Sequence, residues 1–506
     1  MATQKTQVVI IGAGPTGLSM AAQLLRYNTD FIILEKNENT TPLSKAVVVQ
    51  ARTLEIFREI GIAEKAIATG RITTAINLFY KGKQKTAVDL AGIGKGSSAF
   101  TFALSLEQSK TEKLLADYVL GKGKNIQWKS ELMRLEQDTN GVTVHYKDAG
   151  GEEQIIKAEY LVGCDGASSV VRHQLGLSFE GDTVPKLFYV TDVTLESSVI
   201  NKNELFIFLI KKGFVLFFPM EGSGHYRIIG ILPEGEASAD KEVHKIEQFI
   251  KTQIIVPIEF KEMRWFSTYK VHSRKATSFR KERCFIAGDA GHIHTPAGGQ
   301  GMNTGIQDAY NLAWKIAYTT QHTANDSLLE SYNTERMENA RHLLQSTDRM
   351  FDVMAGTTAF FNFLRLNILP GVMSFISSNP VFNKRIFPLI SQTGITYPNS
   401  VLTIKSKIGE VKAGDRMPYF IFSDGKEIFN YLEEPVFKLL FFGSGNKSQF
   451  DDLKELRFRV ATFFFDEIPK KRFGSSTDFY ILLRPDNHIS YIGKNIGICL
   501  PFLKNL

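Results

Sequence analysis

Six residues near the start of the chain, Gly12-Ala13-Gly14-Pro15-Thr16-Gly17, leave few folds open, because an apolar run precedes them and a helical one follows. Gln7 to Gly12 reads as a buried parallel strand, Leu18 to Arg26 carries the helical period, and Phe31 to Glu35 is a second apolar strand. Strand, helix and strand together open a doubly wound sheet. In such a turn the first glycine permits the bend, the second lets the backbone approach a pyrophosphate, and the third lets helix and strand pack closely. The helix start offers unpaired N–H groups and a positive dipole end to the phosphates. Glu35, about twenty residues on, is placed to accept hydrogen bonds from ribose hydroxyls, which favours an adenosine with a free 2′-hydroxyl, as in FAD or NAD. A glycine pattern alone is weak; the strand, helix and acid around it raise it to a dinucleotide site.

A second constellation decides between those cofactors. Phe285-Ile286-Ala287-Gly288-Asp289-Ala290 is a strand ending in Gly-Asp, followed by His292, Pro296 and the loop Ala297-Gly298-Gly299-Gln300-Gly301-Met302-Asn303, with a helix from about Thr304. A carboxylate at a strand's end can bind a ribityl hydroxyl, and a glycine-rich loop presents several N–H groups. Aimed at a flavin's pyrimidine edge, those groups would stabilise the charge of its reduced form. Between the two lies Cys164-Asp165-Gly166, followed by Arg172.

With these three fingerprints in order, the sequence resembles the class A FAD-dependent aromatic monooxygenases of the para-hydroxybenzoate hydroxylase fold, nearest the phenol and polyketide hydroxylase branch. The resemblance covers essentially the whole chain. It implies an α/β architecture: a doubly wound FAD-binding domain (1–180 and 270–350, with a meander at about 126–161) and an interleaved antiparallel-sheet substrate domain (181–269). A helical connector (351–398) and a C-terminal thioredoxin-like domain (399–506) complete it. It also implies a reaction in which NADPH or NADH reduces FAD, dioxygen adds at the flavin C4a, and the hydroperoxide hydroxylates a small organic, phenolic or polycyclic substrate. Epoxidation, halogenation or reduction on the same fold, or non-catalytic FAD binding, are the alternatives; no Trp-x-Trp-x-Ile-Pro halogenase signature occurs.

Residue by residue, the resemblance assigns Asp165, Gly166 and Arg172 to FAD and nicotinamide binding. It places Lys36 near the adenosine, Arg52 on the pyrophosphate, Gln108 beside the ribityl chain, and Pro296 by the flavin face where oxygen reacts. From the residues alone, Asp165 could equally cap the next helix with Arg172 as its surface partner, Arg52 could be a surface residue at a helix start, and Pro296 a turn proline. His292 and His294, two apart in a loop without accompanying ligands, read as loop packing rather than metal binding.

The remaining features are blander. The formal net charge is +7, but the cations are dispersed, so a solvated surface is favoured over nucleic acid. Three cysteines without paired spacing argue for a reducing compartment, and the short polar start for a cytoplasmic protein. Met354 to Ile376, broken by Arg365 and Pro370-Gly371, reads as a buried helical pair rather than a membrane span. Phe206, Phe208, Phe214, Phe217 and Phe218 alternate as strand residues, mostly core, a minority lining the substrate cavity. The C-terminal segment has no Cys-x-x-Cys, which excludes dithiol chemistry there and leaves a structural or homodimer-stabilising role.

Overall fold

The computed structural model describes residues 3–42, 46–200, 202–211, 213–232, 243–295, 299–322, 324–444 and 456–506. Its first sheet runs, from one edge, Arg280–Lys281, Cys284–Ile286, Glu153–Gly163, Thr3–Ile11, Phe31–Glu35 and Ile126–Trp128. From Cys284–Ile286 onward every neighbouring pair is parallel. The central strand is apolar without alternation because both its faces are covered: Val8, Val9 and Ile10 are fully buried. Helices Pro15–Arg26, Gln108–Gly121 and Gly301–His322 pack into the same core. Glu131–Gln137, Val142–Lys147 and Glu153–Gly163 pair antiparallel in succession, and the last of them is itself a central member of the parallel sheet.

The second sheet has eight strands, in the order His292–Ile293, Glu259–Ala276, Phe179–Glu196, His225–Ile231, Gly213–Pro219, Leu205–Ile210, Ala75–Tyr80 and Lys83–Asp89. The last two come from the N-terminal region, and Leu205–Ile210 pairs parallel with Ala75–Tyr80, so the sheet is not wholly antiparallel. The sequence hides the outermost strand because it is a charged edge: Lys-Gln-Lys-Thr-Ala-Val-Asp shows little apolar alternation. Helix Val243–Ile254 covers one face of this sheet.

Asp326–Ala355 is one long helix, succeeded by Ala359–Ser378 and Pro380–Ile390. The expectation of a buried helical pair at Met354–Ile376 is wrong in one respect. Arg365 is fully buried, but Phe360 and Phe363 stand 64% and 55% exposed. Among the described residues no helix is long and apolar enough to cross a membrane. A smaller mixed sheet, Val460–Phe465, Phe437–Phe442, Phe479–Leu483 and Ile489–Gly493, forms the core of the C-terminal region.

Buried ion pairs join that region to the long helices. Glu335 accepts from Arg484 Nη1 at 2.6 Å and Nη2 at 3.0 Å, from Lys315 Nζ at 2.8 Å and from the Ser400 hydroxyl at 2.5 Å. Burial alone would push its carboxyl up, yet Arg484 and Lys315 outweigh burial and hold it at about 2. Replacing Glu335→Gln takes the carboxylate from buried Lys315 and leaves Arg484 with Asp486 alone, so we expect a loss of about 3–5 kcal/mol, read by urea or thermal unfolding. The depressed value also fixes the pH dependence: the stabilisation is complete above the ordinary glutamate value of 4.5 and is lost as pH falls towards about 2. Wild-type unfolding at acid pH should show that slope and the variant a shallower one.

Candidate cofactor and active site

Three adjacent parallel strands end side by side, each in one of the sequence motifs: Thr3–Ile11 before Gly12, Glu153–Gly163 before Cys164-Asp165, and Cys284–Ile286 before Gly288-Asp289. Ligands of open α/β sheets sit at this carboxyl edge.

The three glycines of the first turn divide their work as the spacing implies. Gly12 has φ +101°, and a Cβ there would stand 2.5 Å from the Cys164 carbonyl oxygen. A Cβ on Gly17 would stand 1.9 Å from the Gly12 carbonyl oxygen. On Gly14 it meets nothing within 4 Å, so that side of the turn is open to a ligand. Gly14 precedes the helix without a side-chain cap and Pro15 is its first residue, so first-turn amides face the opening. Thr16 is structural: its hydroxyl would lie 2.3 Å from a Cβ on either Gly288 or Gly305, wedging the first motif against the third.

Glu35 is buried, and its Oε2 accepts the Ala13 N–H at 2.7 Å while Oε1 accepts from the Asn37 backbone at 2.9 Å. The carboxylate is therefore oriented before any ribose arrives. Lys36 beside it is exposed. Gln108 begins its helix and donates to Glu112 at 2.9 Å; Glu112 is buried, which raises its carboxyl above the usual range.

In the middle motif Asp165 accepts from the Ser169 hydroxyl at 2.6 Å and the Val171 N–H at 3.1 Å, capping the helix Val170–Gln174. Gly166, at φ +79°, has open space around it. Arg172 is not the surface partner that the capping alternative expects. It is buried, donates to the Ala290 carbonyl at 2.9 Å and the Ala167 carbonyl at 2.9 Å, and covers the Phe179 ring at 3.9 Å. It thereby ties the middle motif to the turn after Asp289.

Arg52 is not a surface residue either. Its guanidinium is buried between Glu55 at 3.1 Å, the Asp486 carbonyl at 3.2 Å and the Tyr310 ring at 5.3 Å. None of these belongs to the glycine cradle, and a pyrophosphate contact would require it to turn away from them.

At the third motif, Asp289 is exposed at the end of its strand, and the protein packed around it raises its carboxyl. The turn that presents it is held by Asp308, which accepts from the Gly288 N–H at 2.9 Å, His292 Nε2 at 2.8 Å and Arg336 Nε at 2.5 Å. Burial pushes Asp308 up, but Arg336 and His292 outweigh it and hold the carboxyl low. His294, pushed down to about 4 by burial, is neutral at ordinary pH. Among the described residues its Nε2 has no partner, and it would lie 3.5 Å from a Cβ on Gly301. Among the described residues there is no group of three or more ligand side chains able to hold a metal ion.

The glycine loop enters the helix Gly301–His322, whose N-terminal turn carries Gly301, Met302 and Asn303. Asn303 is fully buried and acts as a staple: it donates to the carbonyls of Val48 at 2.8 Å and Gly299 at 2.9 Å and accepts from the Gln50 N–H and the Thr53 hydroxyl, each at 2.8 Å. Gly299, at φ +61°, lies against Val48. Pro296 lies outside the described residues. Sequence reasoning missed Asp308, Arg336 and Glu112; their helices carry many other polar and charged residues, so no local signal set these three apart.

The second sheet meets this loop with one face. Phe206, Phe208 and Phe217 point into the helix-covered core. Phe214 packs with Phe188 and Phe351, and Phe218 lies with Val47, Val48 and Met220 beside the loop. Next to Phe218 in register, Arg227 holds Asp192 in a bidentate pair with both contacts at 2.7 Å, and Trp265 Nε1 donates to the same carboxylate at 2.8 Å.

The donor set fits a flavin dinucleotide: an uncovered helix start at Gly14, a fixed carboxylate at Glu35 and an exposed carboxylate at Asp289 at the end of a neighbouring motif strand. Residues 5–347 match the FAD binding domain family, and the chain belongs to it. Its relatives are monooxygenases. It is 34% identical over 342 residues to 6-methylpretetramide 4-monooxygenase of Streptomyces rimosus, a match covering 67% of this chain and 61% of that protein. It is 30% identical over 494 residues to the uncharacterized aromatic compound monooxygenase YhjG of Bacillus subtilis, covering 96% and 94%. Among solved structures, the anhydrotetracycline hydroxylase OxyS from Streptomyces rimosus superposes with a TM-score of 0.79 at 27% identity, covering 99% of both chains. The chain is thus an enzyme of the FAD-dependent monooxygenase class.

The glycine geometry separates binding from folding. Gly14→Ala, with room for its methyl, should fold with an unchanged melting temperature in the absence of FAD, yet bind FAD at least about tenfold more weakly by flavin fluorescence. Gly17→Ala, driven into the Gly12 carbonyl, should lose stability itself.

Proposed function

We propose that this chain hydroxylates an aromatic ring, phenolic or polycyclic, using dioxygen and reduced nicotinamide, NADPH or NADH. The observation that carries the reading is the apolar cluster of Phe218, Met220 and Val48, whose Val48 lies against Gly299: an apolar wall stands beside the part of the site where a flavin ring belongs. Such a wall favours a flat apolar guest and excludes water.

The residues have separate tasks. Gly12, Gly14, Pro15 and Gly17 shape the turn that receives the pyrophosphate, and Glu35 takes the adenosine ribose. Asp289 takes the ribityl chain. The amides of Gly301, Met302 and Asn303 offer the positive end of a helix dipole to the flavin's pyrimidine edge. Asp165, Gly166 and Arg172 brace the groove between first and third motifs. Bound FAD supplies the redox chemistry, taking hydride from the nicotinamide and activating dioxygen. No protein nucleophile is needed, and His294, neutral and with no Nε2 partner among the described residues, adds a polar group to the loop without adding charge.

The C-terminal sheet, with no Cys-x-x-Cys, is taken as a thioredoxin-like structural unit, the whole acting in a cytoplasmic, reducing setting.

The test is a panel of phenols and polycyclic phenols with purified, FAD-loaded protein under ¹⁸O₂. The expected result is substrate-accelerated NAD(P)H oxidation with one labelled oxygen in the product. NAD(P)H oxidation yielding only hydrogen peroxide with every ring offered, or product oxygen drawn from water, would refute hydroxylation.

A further inference from the structure

The three segments Ala359–Phe363, Leu364–Ile368 and Leu369–Ser378 form one continuous helical rod. At 1.5 Å per residue it runs about 30 Å. Its middle is a π turn, in which the Leu369 N–H reaches back to the Leu364 carbonyl, and the wider turn accommodates Pro370. The inner side is pinned by the buried Arg365, which donates to the carbonyls of Lys211 at 2.6 Å, Gly356 at 2.9 Å, Met354 at 3.1 Å, and Ile210 and Val353 at 3.2 Å. One cation thus fastens the rod to the end of strand Leu205–Ile210 and to the last turn of the long helix.

The outer side carries Phe360, Phe363, Ile368 and Val372, exposed by 64%, 55%, 43% and 46%. Their spacing places them on one stripe. A row of large apolar groups held outward by a buried clamp is not a surface scatter of single residues.

Charge tells what this stripe suits. The edge strand Lys83–Asp89 packs along Leu369–Ser378 and presents Lys83 and Lys85, with Lys81 in the turn before it, all exposed. Lys81 and Lys85 approach the Tyr80 ring at 5.4 and 5.9 Å, which gathers the ammonium groups at this end of the sheet. No Asp or Glu occurs between Asp352 and Glu410, nor between Tyr80 and Val88. An apolar aromatic stripe flanked by lysines, with no acid in the rod itself, matches a bilayer of anionic lipids, which offers an apolar boundary under a negative surface. We infer that the outer face of Ala359–Ser378, with the Lys81–Lys85 hairpin, docks this enzyme on the surface of an anionic membrane without crossing it. The inference is independent of the substrate proposal.

Co-sedimentation of the full chain with phosphatidylcholine vesicles, with and without phosphatidylserine, tests it. The wild type should pellet with the phosphatidylserine vesicles and be released as salt rises. Phe360→Ser with Phe363→Ser, and separately Lys83→Glu with Lys85→Glu, should each weaken partition by roughly tenfold or more, at unchanged melting temperature. Leu120→Ser with Met133→Ser, exposed apolar residues elsewhere, should pellet like the wild type. Absence of wild-type binding to anionic vesicles, or equal binding by all variants, overturns the inference. So does a wild-type dimer in sedimentation equilibrium that the Phe360/Phe363 variant dissociates, since the face would then join two copies of this chain.

Discussion

The site depends on one buried carboxylate. Asp308 lies inside the helix Gly301–His322 with no exposure, and gathers the Gly288 N–H, His292 and Arg336. Each partner belongs to a different piece of chain, so a single side chain fixes the Gly288-Asp289 turn, the strand after it and the long helix relative to one another. An uncompensated carboxylate there would be strongly disfavoured, and its loss would leave Arg336 buried without a counter-charge. Position rather than net stability is the better account of why an ionic centre occupies a place where apolar packing would also hold.

Much of this was legible in the sequence. The Gly12–Gly17 turn and the strands around it were readable because local rules, glycine placement and apolar periodicity, act over a few residues. The same holds for Cys284–Ile286 and the helix after it. That three motifs distant in sequence end on adjacent strands was legible only through their resemblance to a family. For Arg52 and Arg172 the sequence left a surface reading open beside the cofactor one, because an arginine's burial depends on partners far along the chain, such as the Asp486 carbonyl. Asp308 was silent for the same reason: nothing local marks a helical aspartate as a three-way acceptor. The outermost strand Lys83–Asp89 escaped because edge strands are selected to look polar, and the rod Ala359–Ser378 was called buried because hydrophobic composition was taken for burial.

The phenylalanines show how topology completes what alternation begins. Period two divides Phe206, Phe208, Phe214, Phe217 and Phe218 between two faces of a sheet, but only the position of helix Val243–Ile254 says which face is sealed. Once that helix claims Phe206, Phe208 and Phe217, and the long helix claims Phe214 through Phe351, Phe218 alone is left beside the glycine loop.

The C-terminal region belongs to the same mechanical argument. Glu335 and Arg336 are neighbours in the long helix, yet they face opposite duties: Glu335 takes Arg484 from the C-terminal sheet, while Arg336 takes Asp308 at the cofactor motif. Arg336 also donates to the Tyr397 hydroxyl at 2.9 Å, and the Tyr397 ring lies 4.5 Å from that of His488. A shift of the C-terminal sheet therefore pulls on one turn of helix that also positions the Gly288-Asp289 strand end. This gives an appendage without a dithiol a physical reason to be packed where it is: it braces, from behind, the carboxyl edge at which the three motifs end.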